Sequence, residues 1–155
     1  MRKQPGSRTC FLCGRQNPVG LKMEWFNNED RDRIEAEITI PGHFNGFPGI
    51  AHGGIVSAIL DETAGRAVLL NGGDDNLMMT LKLEVRFRRP TPTGTPLRVI
   101  GWVIRETRKR ASVAAELLNP EGEVLASCVA HIVKPPQDLE QLWGGEREFW
   151  RVYDE

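Results

Sequence analysis

Residues 49–70, GIAHGGIVSAILDETAGRAVLL, form the stretch that decides the fold of this chain. The stretch begins with turn-forming residues, passes through an HGG tripeptide at residues 52–54, and contains no proline and one internal glycine after that point. This pattern predicts one long, mostly apolar helix of about 18 residues. The helix carries an acidic pair, Asp61 and Glu62, which is costly in an apolar helix unless the carboxylates are used or paired.

Segments of alternating polarity lie on both sides of this helix. Arg33 to Ile40 alternates cleanly and predicts a half-buried strand. Leu77 to Arg89 alternates as well, with Leu81 on the apolar face and Thr80 on the polar face. Short connections favour antiparallel neighbours, so we expect an α+β fold in which a curled antiparallel sheet of five or six strands wraps around one long central helix. The remaining predicted strands are Lys22 to Phe26, Pro96 to Glu106, Arg110 to Leu118 and Glu123 to Val133.

The 155 residues are expected to form one domain with an arm at each end. Residues 1–21 predict an N-terminal arm that begins as a loose tail and ends in a turn-rich segment with a Cys-x-x-Cys. Residues 22–134 form the predicted domain. Residues 135–155 predict a C-terminal arm or helix, whose aromatic side chains could pack on a dimer, line a pocket or join two dimers.

Composition excludes several classes of function. The formal net charge of −1 gives no general attraction to nucleic acid or to an anionic membrane. No charge-free apolar run reaches the length of a membrane span, and the basic N-terminus lacks the apolar segment of a secretory signal. We therefore expect a cytoplasmic protein that binds neither nucleic acid nor membrane.

Three cysteines, an odd number, argue against a disulfide framework. Cys10 and Cys13 form a C-x-x-C, but a tetrahedral zinc site needs four ligands. No second C-x-x-C follows, and His43 and His52 lie far along the chain. We expect no metal, and interpret the two cysteines as reduced thiols under an N-terminal turn; a metal site shared between chains is the alternative.

The motif PGIAHGG at residues 48–54, followed by LDE at residues 60–62, resembles that of the hotdog-fold acyl-CoA thioesterases. Within them it is most similar to the PaaI-like, or phenylacetate-type, group. The N-terminal CxxCG and NPxGL at residues 10–21 also resemble the start of many proteins of this group, so that the similarity covers roughly residues 10–134. The resemblance implies a hotdog fold, hydrolysis of acyl-CoA to free acid and CoA, and a homodimer or a dimer of dimers. It implies no cofactor, since coenzyme A is part of the substrate.

The start of the helix suits a site for an oxyanion. A helix N-terminus offers free backbone N–H groups and a partial positive charge, and glycine lets a substrate carbonyl approach closely. Gly53 and Gly54 therefore fit this role, and the resemblance points to the Gly53 N–H. Asp61 matches the catalytic carboxylate of the family, either as nucleophile or as base for water. Glu62 lies about 100° further around the helix and is expected to form a salt bridge.

Further catalytic candidates come from the resemblance. His52 is usually structural in the family, with general-base catalysis as the alternative. An Asn or Gln that polarises the carbonyl in several relatives corresponds here to Gly46, which leaves Asn45, one residue earlier, as the substitute. Thr80 matches the count of a Ser or Thr that positions water in some relatives.

Helix geometry adds an expectation about assembly. Gly53 and Asp61 are eight residues apart, about 12 Å along one helix. One thioester carbonyl cannot lie within about 3 Å of both groups. Two antiparallel helices related by a two-fold axis would bring Gly53 of one chain near Asp61 of the other, which predicts a homodimer with two shared sites.

Coenzyme A would also need contacts for its phosphates. Two basic clusters suit that role, although a solvated charged edge is the alternative. The candidates for substrate binding are Arg86 and Arg88 on one strand and Arg108, Lys109 and Arg110 in a bend.

Two other functions on the same fold are considered. One is a non-catalytic acyl-CoA-binding module, which a carboxylate at the family's catalytic position disfavours. The other is a hydratase or dehydratase. Hotdog enzymes of that class typically pair the aspartate with a histidine five residues later, and that position here is Arg66.

Overall fold

The computed structural model describes residues 1–154 and confirms the predicted hotdog fold: a curled antiparallel sheet around one long helix. The helix, α1, spans Gly53–Arg66, and a short helix, α2 (Leu69–Gly72), follows it. A third helix, α3, spans Gln137–Gly144. The strands are β1 (Arg2–Lys3), β2 (Trp25–Asn28), β3 (Arg33–Thr39), β4 (Met79–Phe87), β5 (Pro96–Glu106), β6 (Arg110–Leu118) and β7 (Val124–Val133). Three-residue 3₁₀ helices cover Glu29–Arg31, Gly42–Phe44 and Arg147–Phe149.

The strands form one sheet in the order β1-β2-β3-β5-β6-β7-β4, and all neighbours are antiparallel. The sheet therefore has seven strands instead of five or six, because Arg2–Lys3, expected in a loose tail, pairs with β2. The strand predicted at Lys22 begins only at Trp25, since Lys22 adopts a left-handed φ of 51° that interrupts extended backbone. Strand β4 forms one edge of the sheet, with β7 as its neighbour.

Helix α1 packs its apolar face against the concave side of the sheet. Val56, Ile59 and Leu60 are fully buried there, and α1 contacts strands β3 to β7. The predicted helix of about 18 residues is divided after Arg66, because the N–H groups of Ala67 and Leu70 bond to carbonyls three residues earlier and tighten the chain.

Strand β4 contains a bulge that reverses its alternation. Thr80 lies opposite Ile132 and Lys82 lies opposite His131, so that Leu81 between them has no partner. Thr80 consequently faces the helix, whereas Leu81 is 68% exposed. The assignment of Thr80 to the polar face was wrong because simple alternation takes no account of an extra residue in a strand.

The two arms pack against each other at the C-terminal end of α1. Gly6 and Arg151 exchange backbone hydrogen bonds, and the Arg8 guanidinium pairs with Glu146. The Trp150 indole N–H donates to the Asp74 carbonyl at 2.7 Å. Within residues 1–154, no helix is both long enough and apolar enough to cross a membrane.

Candidate active site

The N-terminus of α1 is capped in a way that leaves one backbone donor unused. The His52 Nδ1 accepts from the Gly54 N–H at 2.9 Å, and the His52 carbonyl accepts from Ile55 and Val56. Among the residues that the structure describes, the Gly53 N–H has no acceptor. His52 is thus the N-cap of the helix, and the free donor at this end belongs to Gly53.

A cavity of about 590 Å³ opens beside this N-terminus. Gly53 is exposed in it, and a Cβ placed on Gly53 would lie 3.4 Å from the ring of Phe87. Arg88 and Arg89 line the same cavity. The residue with the unused N–H therefore lines a space with an aromatic wall and nearby cationic side chains, which a substrate carbonyl could enter.

Asp61 lies part-way along α1 and meets Thr80 of β4. The Thr80 hydroxyl donates to Asp61 Oδ1 at 2.7 Å. Burial raises the pKa of the Asp61 carboxyl above its ordinary value, the hydrogen bond from Thr80 lowers it, and the charge of Glu62 raises it. A carboxylate that is half-buried and held by one hydroxyl keeps one oxygen available for chemistry.

Gly53 and Asp61 lie on the same helix, so that within one chain they are about 12 Å apart. The face of α1 that carries them is incompletely covered. Gly54 is exposed, Asp61 is half-buried, and a Cβ on Gly65 would have no neighbour within 4 Å. A single chain therefore does not bring the two groups to one reacting carbonyl.

Glu62 points to a different region from Asp61. Arg66 donates from Nε to Glu62 Oε1 at 2.9 Å, the salt bridge that was predicted. Arg66 is only 3% exposed, and its guanidinium lies over the rings of Trp25 and Trp150, 4.2 and 5.1 Å from their centroids. Arg66, which stands where the hydratases have a histidine, therefore forms a buried structural contact.

Asn45 and Gly46 lie in the loop that precedes α1. The Asn45 Oδ1 accepts from the Thr93 hydroxyl at 2.9 Å. Asn45 and Gly46 are both exposed, and Thr93 is half-buried. A Cβ on Gly46 would lie 3.3 Å from the Cα of His52, so that a side chain there would crowd the N-cap. The structure places Asn45 beside Thr93, and within residues 1–154 Asn45 forms no hydrogen bond with Asp61.

The predicted basic clusters occupy separate places. Arg88 lines the cavity beside Gly53. Arg88 also borders, together with Arg86, a second groove beside strands β4, β6 and β7. The bend at residues 108–110 lines a cavity of about 1030 Å³ with Asn71 and Gly72, beyond the C-terminal end of α1. Within one chain, the two clusters therefore flank opposite ends of the helix.

The thiols of the N-terminal arm meet α1 at Glu62. The sulfur atoms of Cys10 and Cys13 and a Glu62 carboxylate oxygen all lie within 4.8 Å of one another. A hydrogen bond from Cys10 lowers the pKa of Cys13 to about 6, and the same bond together with burial raises the pKa of Cys10. Sequence reasoning missed this cluster because Cys10 and Glu62 are remote in the chain and share no spacing motif.

Comparison with known proteins places the central part of the chain in one family. A family model described as the thioesterase superfamily matches residues 48–126. The chain is 34% identical over 111 residues to acyl-coenzyme A thioesterase THEM4 of Xenopus laevis, covering 71% of this chain and 48% of that one. It is 31% identical over 82 residues to the THEM4 protein of Rattus norvegicus, covering 53% of this chain and 34% of that one. The chain thus spans between a third and a half of the length of these curated relatives.

Solved structures share the fold. A crystal structure of a thioesterase superfamily protein superposes with a TM-score of 0.73 at 25% identity, covering 81% of this chain and 63% of that one. The PaaI protein of the E. coli phenylacetic acid degradation operon superposes with a TM-score of 0.59 at 16% identity, covering 66% and 76% of the two chains.

Proposed function

The chain belongs to the thioesterase superfamily, and we propose that it hydrolyses the thioester of acyl-coenzyme A to a free acid and coenzyme A at a site shared by two copies of the chain. The observation that carries this proposal is the unused Gly53 N–H at a capped helix N-terminus. In the proposed reaction this donor stabilises the negative charge that develops on the thioester oxygen. The helix dipole adds partial positive charge at the same place.

Asp61 supplies the second part of the chemistry. Its ionised carboxylate either takes the proton of an attacking water molecule or attacks the carbonyl carbon itself. Thr80 holds one carboxylate oxygen at 2.7 Å and fixes its direction. In the first route the proton passes from Asp61 to the sulfur of coenzyme A as the C–S bond breaks. In the second route the thiolate leaves an acyl anhydride on Asp61, which water hydrolyses to the free acid while the thiolate takes up a proton from solvent. Both routes require an ionised carboxylate at the start.

We propose a homodimer because it would bring the Gly53 N–H of one chain close to the Asp61 carboxylate of the other. Asp61 and Gly53 are too far apart on one helix to act on one carbonyl, and the helix face between them is incompletely covered. Strand β4, nine residues long, has one edge that no strand of residues 1–154 pairs with, and Met79 and Leu81 are exposed on it. Such a surface favours pairing with another chain. An antiparallel pair of α1 helices would complete two equivalent sites.

The cationic residues around the cavity beside Gly53 support a phosphate-bearing leaving group. Arg88 and Arg89 line that cavity and suit charge-assisted hydrogen bonds to phosphate. In an antiparallel dimer the bend at residues 108–110 of the second copy would lie toward the same end, which makes Arg108, Lys109 and Arg110 further candidates for the phosphates of coenzyme A.

The test is hydrolysis of a panel of acyl-CoA substrates of aromatic, medium and long chains, followed by detection of the released thiol. We expect turnover with at least one substrate, and a loss of about 10²- to 10⁴-fold in kcat for Asp61→Asn and Asp61→Ala. Turnover that is unchanged in both variants would discard the assignment of Asp61. Tight binding of acyl-CoA without turnover of any substrate would instead indicate a non-catalytic module.

A further inference from the structure

Three metal-ligating side chains converge where the N-terminal arm crosses α1. The Sγ atoms of Cys10 and Cys13 and one carboxylate oxygen of Glu62 lie within 4.8 Å of one another. Zinc binds thiolate at about 2.3 Å and carboxylate at about 2.0–2.2 Å. In a tetrahedral site two ligand atoms of one ion are therefore about 3.5–3.8 Å apart, and the observed cluster reaches that geometry if each pair of ligand atoms closes by no more than about 1.3 Å.

The backbone around the cysteines is shaped for this arrangement. The Gly14 N–H donates to the Cys10 carbonyl at 2.8 Å and closes a tight turn. A Cβ at Gly14 would lie 2.4 Å from that carbonyl oxygen, so the turn requires glycine. Because of this turn, the two sulfur atoms point to the same side and face the helix.

Each of the three groups also has a hydrogen-bond partner outside the cluster. The Leu12 N–H donates to Cys10 Sγ at 3.3 Å, and the Ser7 hydroxyl lies 3.2 Å from Cys13 Sγ. Arg66 donates to one oxygen of Glu62 at 2.9 Å and leaves the other without a partner among the described residues. Such outer contacts fix the direction of metal ligands and are typical of metal sites.

The charges balance when a divalent cation is added. Two thiolates and one carboxylate carry three negative charges, and the buried Arg66 guanidinium beside them carries one positive charge. A doubly charged ion makes the group neutral, which lowers the free-energy cost of burying it. Two sulfur ligands select a thiophilic ion such as Zn²⁺ over the oxygen-preferring Mg²⁺ and Ca²⁺.

We propose that Cys10, Cys13 and Glu62 of one chain bind a single thiophilic divalent cation of the Zn²⁺ class, with a water molecule as the fourth ligand. Thiol protons that remain when the ion binds are released to solvent. The ion ties the N-terminal arm to α1, one residue away from Asp61. Glu62 and Asp61 then have different roles. Glu62 holds the N-terminal arm in place through the ion, and it takes no part in thioester hydrolysis.

The test is a titration of the full-length chain with Co²⁺ after reduction and removal of metal by EDTA. We expect thiolate-to-cobalt charge-transfer absorption that saturates at one ion per chain. Cys10→Ser and Cys13→Ser should abolish that absorption, and Glu62→Gln should weaken binding by at least about 10-fold. The matched control is Cys128→Ala, which removes a buried thiol on β7 and should leave the titration unchanged.

A second measurement needs no variant. Because a ligand that binds only the folded chain raises its stability, Zn²⁺ should raise the Tm of the reduced wild-type chain above its value in EDTA. The proposal is overturned if the wild-type chain gives no thiolate–cobalt absorption or no Zn²⁺-dependent rise in Tm. It is also overturned if Glu62→Gln binds as tightly as wild type, or if one ion saturates two chains.

Discussion

The two ends of helix α1 differ in what covers them. At the N-terminal end, Gly53 and Gly54 are exposed beside a cavity, and the Gly53 N–H has no acceptor within residues 1–154. At the C-terminal end, Arg66 is 3% exposed and donates to the Pro5 carbonyl at 2.8 Å as well as to Glu62. The chain therefore closes one end of the helix with its own arms and leaves the other end open.

The open N-terminal end of α1 carries the groups proposed for the chemistry, and the closed C-terminal end carries contacts that stabilise the fold. The adjacent carboxylates mark the boundary: Asp61 turns to Thr80 and the partly open face, and Glu62 turns to Arg66 and the thiols. Changes at the open end should alter activity with little effect on folding. Changes at the closed end should alter folding first.

The largest effect of this kind is expected from Gly53→Pro, which removes the unused N–H. Proline is tolerated at the first position of a helix, and His52, with φ −59° and ψ 137°, already has the conformation that a residue before proline prefers. We expect kcat to fall by about 10²- to 10³-fold, with a Tm close to that of wild type.

The matched control for this variant is Gly53→Ala, which adds the same Cβ, 3.4 Å from the ring of Phe87, and keeps the N–H. It should retain most of the activity. If the proline variant turns over acyl-CoA as fast as the alanine variant, the Gly53 N–H has no part in the reaction.

Arg66→Ala tests the closed end. The substitution removes the ion pair between the buried Arg66 guanidinium and Glu62, and the contacts of that guanidinium with the rings of Trp25 and Trp150. We expect a loss of about 3 kcal/mol in the free energy of unfolding, which lowers Tm by about 6–12 °C for a domain of this size. Thermal unfolding in the presence of EDTA measures the effect without any contribution from bound metal.

The control for Arg66 is Arg105→Ala at an exposed position of β5. It should change stability by no more than about 0.5 kcal/mol. Equal Tm values for the two variants would show that the arms do not close this end of the helix as described.

A smaller effect is expected from Thr80→Val, with a change in pH dependence as its signature. The hydrogen bond from Thr80 lowers the pKa of Asp61 against the effect of burial, so its removal raises that pKa further. In the proposed reaction Asp61 must be ionised, so the acidic limb of the kcat/KM profile should move to higher pH. We also expect kcat to fall by about 10-fold.

Thr80→Ser keeps the hydroxyl and should keep both the rate and the position of the acidic limb. An acidic limb that stays in place in Thr80→Val would mean that Asp61 is not the group whose protonation stops the reaction.

The fold could be predicted from the sequence because its signals are local. The apolar helix after HGG and the strands Pro96–Glu106 and Arg110–Leu118 follow from periodicity and turn residues. What sequence could not supply are features that depend on pairing between remote segments. Arg2–Lys3 is a strand only because β2 lies beside it, and the bulge at Leu81 is defined only by the register with β7.

The residues of the candidate site could be nominated in part for the same reason, and their roles in the reaction stay predictions. Gly53, His52 and Asp61 belong to one continuous stretch, whose motif carries the resemblance that nominated them. The direction of Thr80 required the bulge, and the contact between Asn45 and Thr93 joins two loops that no sequence pattern relates. The meeting of Cys10 with Glu62 likewise exists only in the folded chain.

The claim that one helix serves two sites is tested most directly with mixed dimers. Gly53→Pro and Asp61→Asn chains with different tags are expressed together, and dimers that carry both tags are isolated. In a shared site, one of the two sites of each mixed dimer has both Gly53 and Asp61 intact, so about half of the wild-type activity should return. Doubly tagged dimers in which both chains carry the same substitution, either Gly53→Pro or Asp61→Asn, have no intact site and serve as controls. Mixed dimers no more active than these controls would contradict the shared site.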